Sequence, residues 1–161
     1  MSKTPLVAKN GNDCVMTPPV LGRRIVRYFK PKGRMLEPCI GNGKGFFRFM
    51  EGADWCEIDK GRDFFDYNKR VRWIITNPPY SKLLKFLEHS FDISDNVVML
   101  ILLPAAFHTA KIRLAKLKGF YLKEIIYVPA QPPPFPKFGF QLGVVHYKRG
   151  TGDSIKITDW T

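Results

Sequence analysis

Asn77-Pro78-Pro79-Tyr80 follows an apolar run, Trp73-Ile74-Ile75-Thr76, that reads as a buried strand. Proline donates no ladder hydrogen bond, so the pair ends the strand and holds the next stretch of backbone extended and stiff. A loop of that rigidity serves either as a structural turn or as a site whose carbonyls must stay aimed. Two acidic residues hold comparable places: Glu37 ends the run Arg34-Met35-Leu36, and Glu57 follows Asp54-Trp55-Cys56. Between them, in Cys39-Ile40-Gly41-Asn42-Gly43-Lys44-Gly45, Gly41 and Gly43 either leave room for a ligand against the backbone or supply the angles of a strand-to-helix turn.

The glycine spacing does not suit a phosphate. A dinucleotide fingerprint needs its third glycine where Phe46 stands, and a phosphate-binding loop needs Ser or Thr after Lys44, where the chain has Gly45. A carboxylate ending a second strand accepts hydrogen bonds from ribose hydroxyls, while one beside a glycine loop suits an ammonium group. Together they ask for a cationic adenosine ligand. S-adenosylmethionine carries the ammonium, the sulfonium and the ribose.

The elements that must position these residues alternate along the chain. Thr17 followed by Pro18 and Pro19 reads as an N-cap with prolines in the first turn, and Leu21, Ile25 and Phe29 then recur every four residues as one face of a helix. Its other side carries Arg23, Arg24 and Arg27, continued by Lys30, Lys32 and Arg34. A strand over 34–38, a helical turn over 46–50, a strand over 54–58 and a third over 71–76 come next. Leu84, Leu87 and Phe91 predict a helix, and the continuous apolar run 96–104 predicts a central parallel strand. A basic helix over 108–119, closed by Gly119, precedes strands over 122–128 and 142–148. These two, joined by the proline-rich segment 129–140, read as an antiparallel pair at the sheet's edge, and residues 151–161 suggest no element. The alternation predicts an α/β sheet with helices on both faces and its ligand crevice beyond the C-terminal strand ends, where Glu37, Glu57 and Asn77 lie.

The chain has 161 residues, 45% of them hydrophobic, enough for one domain with its own core. Lys and Arg number 26 against 14 Asp and Glu, a net charge of +12. That balance makes nucleic acid the leading partner, though it also serves simply to keep a small protein soluble. Cys14, Cys39 and Cys56 are widely spaced, with no His at metal-ligand distance, and read as reduced thiols with no metal site. There is no signal-peptide core and no membrane-length apolar run, so a cytoplasmic protein of a bacterium or a virus-infected host cell, without a membrane partner, is expected. Monomer and homodimer both remain open.

Taken together, Thr17 to Pro19, Leu36 to Gly43, Glu57 to Asp59, Arg62 to Phe65 and Asn77 to Tyr80 resemble, in order, the motifs of class I S-adenosylmethionine-dependent methyltransferases. The likeness spans roughly Asp13 to Tyr147 and is greatest to N6-adenine methyltransferases of DNA with gamma-like motif order. The resemblance implies a Rossmann-like sheet, mostly parallel with an antiparallel edge strand, and no metal. Thr17 and Pro18 would close over the methionine end of the cofactor, with Glu37, Pro38, Gly41 and Gly43 as its cradle. Glu57 would hold the ribose with Ile58 beside it, Asp63 would accept the cofactor adenine's amino group, and Phe64 would contact its ring. Asn77 would face both the cofactor and the target, and Asn77 with Pro78, Pro79 and Tyr80 would form the catalytic loop.

An exocyclic adenine amine is a poor nucleophile because its lone pair is delocalised into the ring. The Asn77 side-chain oxygen and the Pro78 carbonyl can each accept one of its N–H bonds, drawing the nitrogen toward tetrahedral geometry, while Tyr80 stacks on the base. Proline stiffness keeps the acceptors fixed as charge moves. The base must be flipped out of a duplex or already unpaired.

Two departures from the family matter. Five residues separate Glu57 from Asp63, where the family inserts a helix and a strand turn, so Asp59 and Asp66 are alternatives to Asp63. No target-recognition domain follows the motifs. Residues 1–161 then read as a single catalytic domain, with the Pro/aromatic loop 129–140 in that module's place and DNA binding resting mostly on phosphates. Lys82, Lys85, Lys111, Arg113, Lys116 and Lys137 are the expected contacts, and Phe135, Phe138 and Phe140 either stack on bases or pack in the core. RNA adenine, protein glutamine and cytosine N4 methylation are the rival activities, and a non-catalytic binding subunit is the rival class.

Overall fold

The computed structural model describes residues 15–161, so Cys14 and the first residues of the likeness lie outside the described residues. Helix α1 (Pro19–Phe29) buries Leu21, Gly22, Ile25 and Val26. Its cap position is Pro18, with no side-chain cap, rather than the expected Thr17. Prolines at a helix start lack N–H groups that would be unpartnered there in any case. Thr17 is freed to turn inward and is buried.

Strands β1 (Met35–Glu37), β2 (Asp54–Trp55), β3 (Trp73–Thr76) and β4 (Asn96–Leu102) are parallel neighbours. Helix α2 (Leu83–Ile93) precedes β4, and α3 (Thr109–Leu117) leads into β5 (Phe120–Tyr127), β6 (Leu142–Arg149) and β7 (Lys156–Asp159). The seven-stranded sheet has the order β2-β1-β3-β4-β6-β5-β7. β6 runs antiparallel to β4 and β5, and β7 runs parallel to β5. The expected fold class is therefore present, mostly parallel with its antiparallel pair toward one edge.

The apolar run of β4 feeds two cores by strict alternation. Val97, Met99 and Ile101 pack with Leu83, Phe86, Leu87 and Phe91 of α2 and Ala115 of α3. Val98 and Leu100 pack with Leu21, Ile25 and Val26 of α1 on the other face. In α2 the inward stripe is Leu83, Phe86, Leu87 and Phe91, whereas Leu84, expected to face inward, is 42% exposed.

Two segments differ from expectation. The strand expected over 54–58 stops at Trp55, though Cys56 N–H still donates to the Glu37 carbonyl at 2.9 Å. Beyond it the chain folds back in 3-10 turns at Ile58–Lys60 and Phe64–Asp66, in place of a helix and strand. Residues 151–161 supply β7, which extends the sheet beyond β5. It is pinned by the buried Glu124, whose Oε1 accepts from the Tyr28 hydroxyl and the Thr158 hydroxyl, each at 2.6 Å, with Lys156 Nζ at 3.2 Å. Burial alone would raise the Glu124 pKa, but hydrogen bonds from Thr158, Tyr28 and Lys156 hold it below the usual value.

Candidate active site

The C-terminal ends of β1, β2 and β3 open into one cleft of about 1000 Å³, counting the solvent at its mouth. Thr17, Glu37, Pro38, Gly41, Glu57 and Ile58 line it, and Asp63, Phe64, Asn77, Pro79 and Lys82 continue the wall. Residues at four separate places in the sequence thus meet. Pro18, Gly43, Pro78 and Tyr80 are not part of the lining, nor are Lys85, Lys111, Arg113, Lys116, Lys137 and Phe138.

Asn77 is the site's most constrained polar group. Its Nδ2 donates to the Val15 carbonyl at 2.7 Å, which fixes the amide's orientation, and its Oδ1 is buried with no hydrogen-bond partner among the described residues. A buried acceptor left open costs stability unless a ligand completes it. Glu37 presents a second open acceptor: the residue is 2% exposed and its Oε2 has no partner among the described residues. Burial pushes its pKa up to about 8, opposed by a hydrogen bond from the Phe47 N–H and reinforced by the nearby charge of Glu57.

Glu57 is tied to the glycine loop, accepting the Gly41 N–H on Oε2 at 2.7 Å. Asp63 Oδ1 accepts the Phe65 N–H at 2.9 Å and caps the second 3-10 turn. Gly43 adopts φ +73° and a Cβ there would meet nothing within 4 Å, so its glycine serves the turn's backbone angle. The close approach occurs elsewhere: a Cβ on Gly22 would lie 2.3 Å from the Gly45 carbonyl oxygen. Helix α1 therefore rests backbone to backbone on the glycine loop, bringing Thr17 to the cleft.

Sequence reasoning missed an aromatic wall. Phe65 and Phe86 line the cleft with Phe64, the Phe64 and Phe65 rings lying 5.0 and 5.2 Å from Phe86. His89 backs them, 4.7 Å from Phe64, and its Nε2 lies 2.8 Å from the Tyr67 carbonyl. A carbonyl only accepts, so that nitrogen carries the proton. The Phe64-Phe65 pair was visible in the sequence, but its partner on α2 needed the fold. Cys39, Ile40, Asn42 and Gly45 of the glycine loop and Asp59 line the cleft as well, and Val15, Met16 and Ser81 do so without a sequence signal. In the Asn77–Tyr80 loop, the Tyr80 ring lies 6.0 Å from Phe138, which lies 5.8 Å from the buried Phe135. Cys56 is buried, which raises its thiol to about 11. Among the described residues no group of three or more His, Cys, Asp or Glu could hold a metal ion, and no helix is long and apolar enough to cross a membrane.

No known family profile matches the chain, and no curated protein matches it. Solved structures do. A candidate RNA methyltransferase from Pyrococcus horikoshii superposes with a TM-score of 0.64 at 14% identity, over 92% of this chain and 91% of that one. The modification subunit of a candidate type I restriction enzyme from Vibrio vulnificus gives a TM-score of 0.69 at 16% identity, over 92% of this chain and 47% of that one. A candidate class I S-adenosylmethionine-dependent methyltransferase from Listeria monocytogenes gives 0.65 at 10% identity, over 89% of this chain and 65% of that one. The chain thus spans under two thirds of the latter two proteins. The fold of this chain is the Rossmann-like fold of the class I methyltransferases.

Proposed function

We propose that this chain transfers a methyl group from S-adenosylmethionine to the N6 amine of adenine in DNA, with little or short sequence specificity. The observation that carries the reading is Asn77, whose NH2 is held by Val15 while Oδ1 stands buried and open as an acceptor. Such an acceptor suits an N–H donor, and a primary amine has a second N–H left for a neighbouring carbonyl. Asn77 Oδ1 takes one N–H and the Pro78 carbonyl the other, which localises the nitrogen lone pair, and the rigid prolines keep both acceptors in place. The extra proton leaves to water once the nitrogen is methylated.

The cleft suits the cofactor. Glu37, buried and with an open oxygen, offers a counter-charge to an ammonium, and Glu57, anchored on Gly41 N–H, keeps lone pairs for ribose hydroxyls. The aromatic wall and Ile58 offer apolar faces to a purine. When bound, S-adenosylmethionine supplies an electrophilic methyl and leaves as S-adenosylhomocysteine. DNA as acceptor is supported by the net charge of +12 and by the likeness to a restriction-enzyme modification subunit. The loop 129–140, which brings Phe138 beside Tyr80, is the segment in this chain suited to touch the DNA next to the target base. Tyr80 stacks on the flipped base.

The test is transfer from radiolabelled cofactor to duplex DNA, single-stranded DNA, RNA and protein extract, followed by digestion to nucleosides and amino acids. Label on N6-methyldeoxyadenosine is expected. Asn77→Ala should lower transfer by on the order of a hundredfold or more, as loss of one preorganised polar group does, while cofactor binding persists. Label on glutamine would overturn the nucleic-acid reading, and label on adenosine from RNA would replace the acceptor.

A further inference from the structure

The basic face of α1 takes no part in the cleft. Arg23, Arg24, Arg27, Lys30 and Lys32 are exposed on and just beyond this helix, and Arg48 is exposed beside it. The helix contains no acidic residue. Among the described residues none of these six forms an ion pair, whereas Arg62, Arg70, Lys118, Arg149 and Lys156 each hold a carboxylate. Glu51 is the carboxylate nearest to Arg48 in sequence, and no ion pair joins the two.

Helical spacing makes this arrangement costly in isolation. Arg23 and Arg27 are four residues apart, and Arg24 and Arg27 three, distances at which like charges repel on a helix surface. Aromatic rings nevertheless order the guanidinium groups. Arg23 and Arg48 each sit 5.3 Å from the centroid of the Phe49 ring, and Arg24 sits 4.1 Å from that of Trp160. Fixed, exposed guanidinium groups without carboxylate partners are suited to bidentate phosphate contact. The face also adjoins the cleft, because Gly22 rests on Gly45, a lining residue, and Thr17 at the head of the helix lines it too.

We infer that the exposed face of α1, together with Arg48, is a phosphate-binding track that lays the DNA backbone beside the cleft. The inference rests on the reading of DNA as acceptor and adds the surface that holds it. The 11 residues of α1 extend about 16 Å, long enough to run beside a few consecutive phosphates of one strand. The α3 cations singled out in the sequence lie on the sheet's other face, and burial lowers the pKa of Lys111. They cannot share one track with α1.

The test compares two charge-matched triple variants, Arg23→Gln/Arg27→Gln/Arg48→Gln and Lys69→Gln/Lys123→Gln/Lys148→Gln, the second taken from exposed positions toward the end of the strands away from the cleft. Binding of a fluorescently labelled mixed-sequence DNA duplex is measured over a salt series, with unfolding curves and calorimetry with S-adenosylmethionine as checks on fold and cleft. The track variant should weaken binding on the order of 10- to 100-fold and flatten the plot of log K against log salt by about 2 to 3. The control triple should keep most of the wild-type slope. If the track variant binds like the wild type, or if neutralising Lys111, Arg113 and Lys116 removes the slope instead, the track is wrong while the DNA reading stands. A wild-type protein with no salt-dependent duplex binding overturns both.

Discussion

Below about pH 8 the Glu37 carboxyl of the ligand-free protein keeps its proton, because burial outweighs the Phe47 N–H that favours the charged form. The folded state therefore binds that proton more tightly than the unfolded chain, whose value is the ordinary 4.5. Stability from this group is fully present below pH 4.5 and is lost as pH rises through 8, with a slope of up to about 1.4 kcal/mol per pH unit. Urea unfolding between those limits should show the loss in the wild type, and Glu37→Gln should remove that component of it. An ammonium group placed beside Glu37 needs the charged form, so binding S-adenosylmethionine in the same window should release close to one proton. Calorimetry in buffers of different ionisation heat reads this directly; the Gln variant should bind more weakly and release none, and equal release by both would remove Glu37 from the cradle. The position of this acid was legible in the sequence because it closes an apolar strand before glycines. Its protonation was not, since that depends on how completely the loop and α1 bury it.

At the scale of elements, the contact between α1 and the glycine loop sets where Thr17 and Glu37 stand. Alanine at Gly22 would gain about 1 kcal/mol of helix propensity, yet its Cβ would lie 2.3 Å from a backbone oxygen of Gly45, and backbone on both sides cannot yield cheaply. Gly22→Ala is expected to destabilise by about 1–3 kcal/mol, as overpacking does, and to weaken cofactor binding, both read from urea curves and calorimetry. Gly43→Ala has open space and only its φ of +73° to contend with, so a loss of about 1 kcal/mol with cofactor affinity largely kept is expected. A stabilised Gly22→Ala protein would show that the contact is looser than described. The four-residue recurrence of Leu21, Ile25 and Phe29 made α1 itself readable, and the apolar run of β4 did the same for the sheet's centre. Gly22 carried no signal, because a glycine inside a helical pattern has meaning only once its neighbour is known. β7 was unreadable for another reason: it is four residues long and largely exposed, so no burial pattern marks it, and Glu124, more than thirty residues earlier, holds it in place.

Across the whole molecule, the Asn77 side of the cleft joins parts of the chain that no motif links. Asn77 is oriented by Val15, 62 residues earlier, and Tyr80 meets Phe138 on the loop between β5 and β6. The sequence left Phe135, Phe138 and Phe140 divided between core packing and base stacking, and the fold separates them. Phe135 is 6% exposed and anchors the loop in the α1-side core, Phe140 is 65% exposed, and Phe138 stands partly buried between Phe135 and Tyr80. If Tyr80 stacks on the target base, Phe138 is the ring that keeps it from swinging away. An aromatic pair of this kind contributes about 0.5–1.5 kcal/mol, so Phe138→Ala should lower kcat/KM for DNA by roughly 3- to 10-fold while cofactor affinity and unfolding midpoint stay near wild type. Phe135→Ala should instead cost about 3–5 kcal/mol of stability, the usual result of emptying a buried ring site. Phe140→Ala, with no ring contact to Tyr80 among the described residues, should keep kcat/KM near the wild-type value if the loop serves only to support Tyr80. Steady-state methylation of one DNA substrate by all three proteins, alongside calorimetry with the cofactor, separates these outcomes. Equal losses in Phe138→Ala and Phe140→Ala would mean that both rings touch DNA directly, and an unchanged Phe138→Ala would mean that the packing of Tyr80 against the α2-side core suffices to hold it.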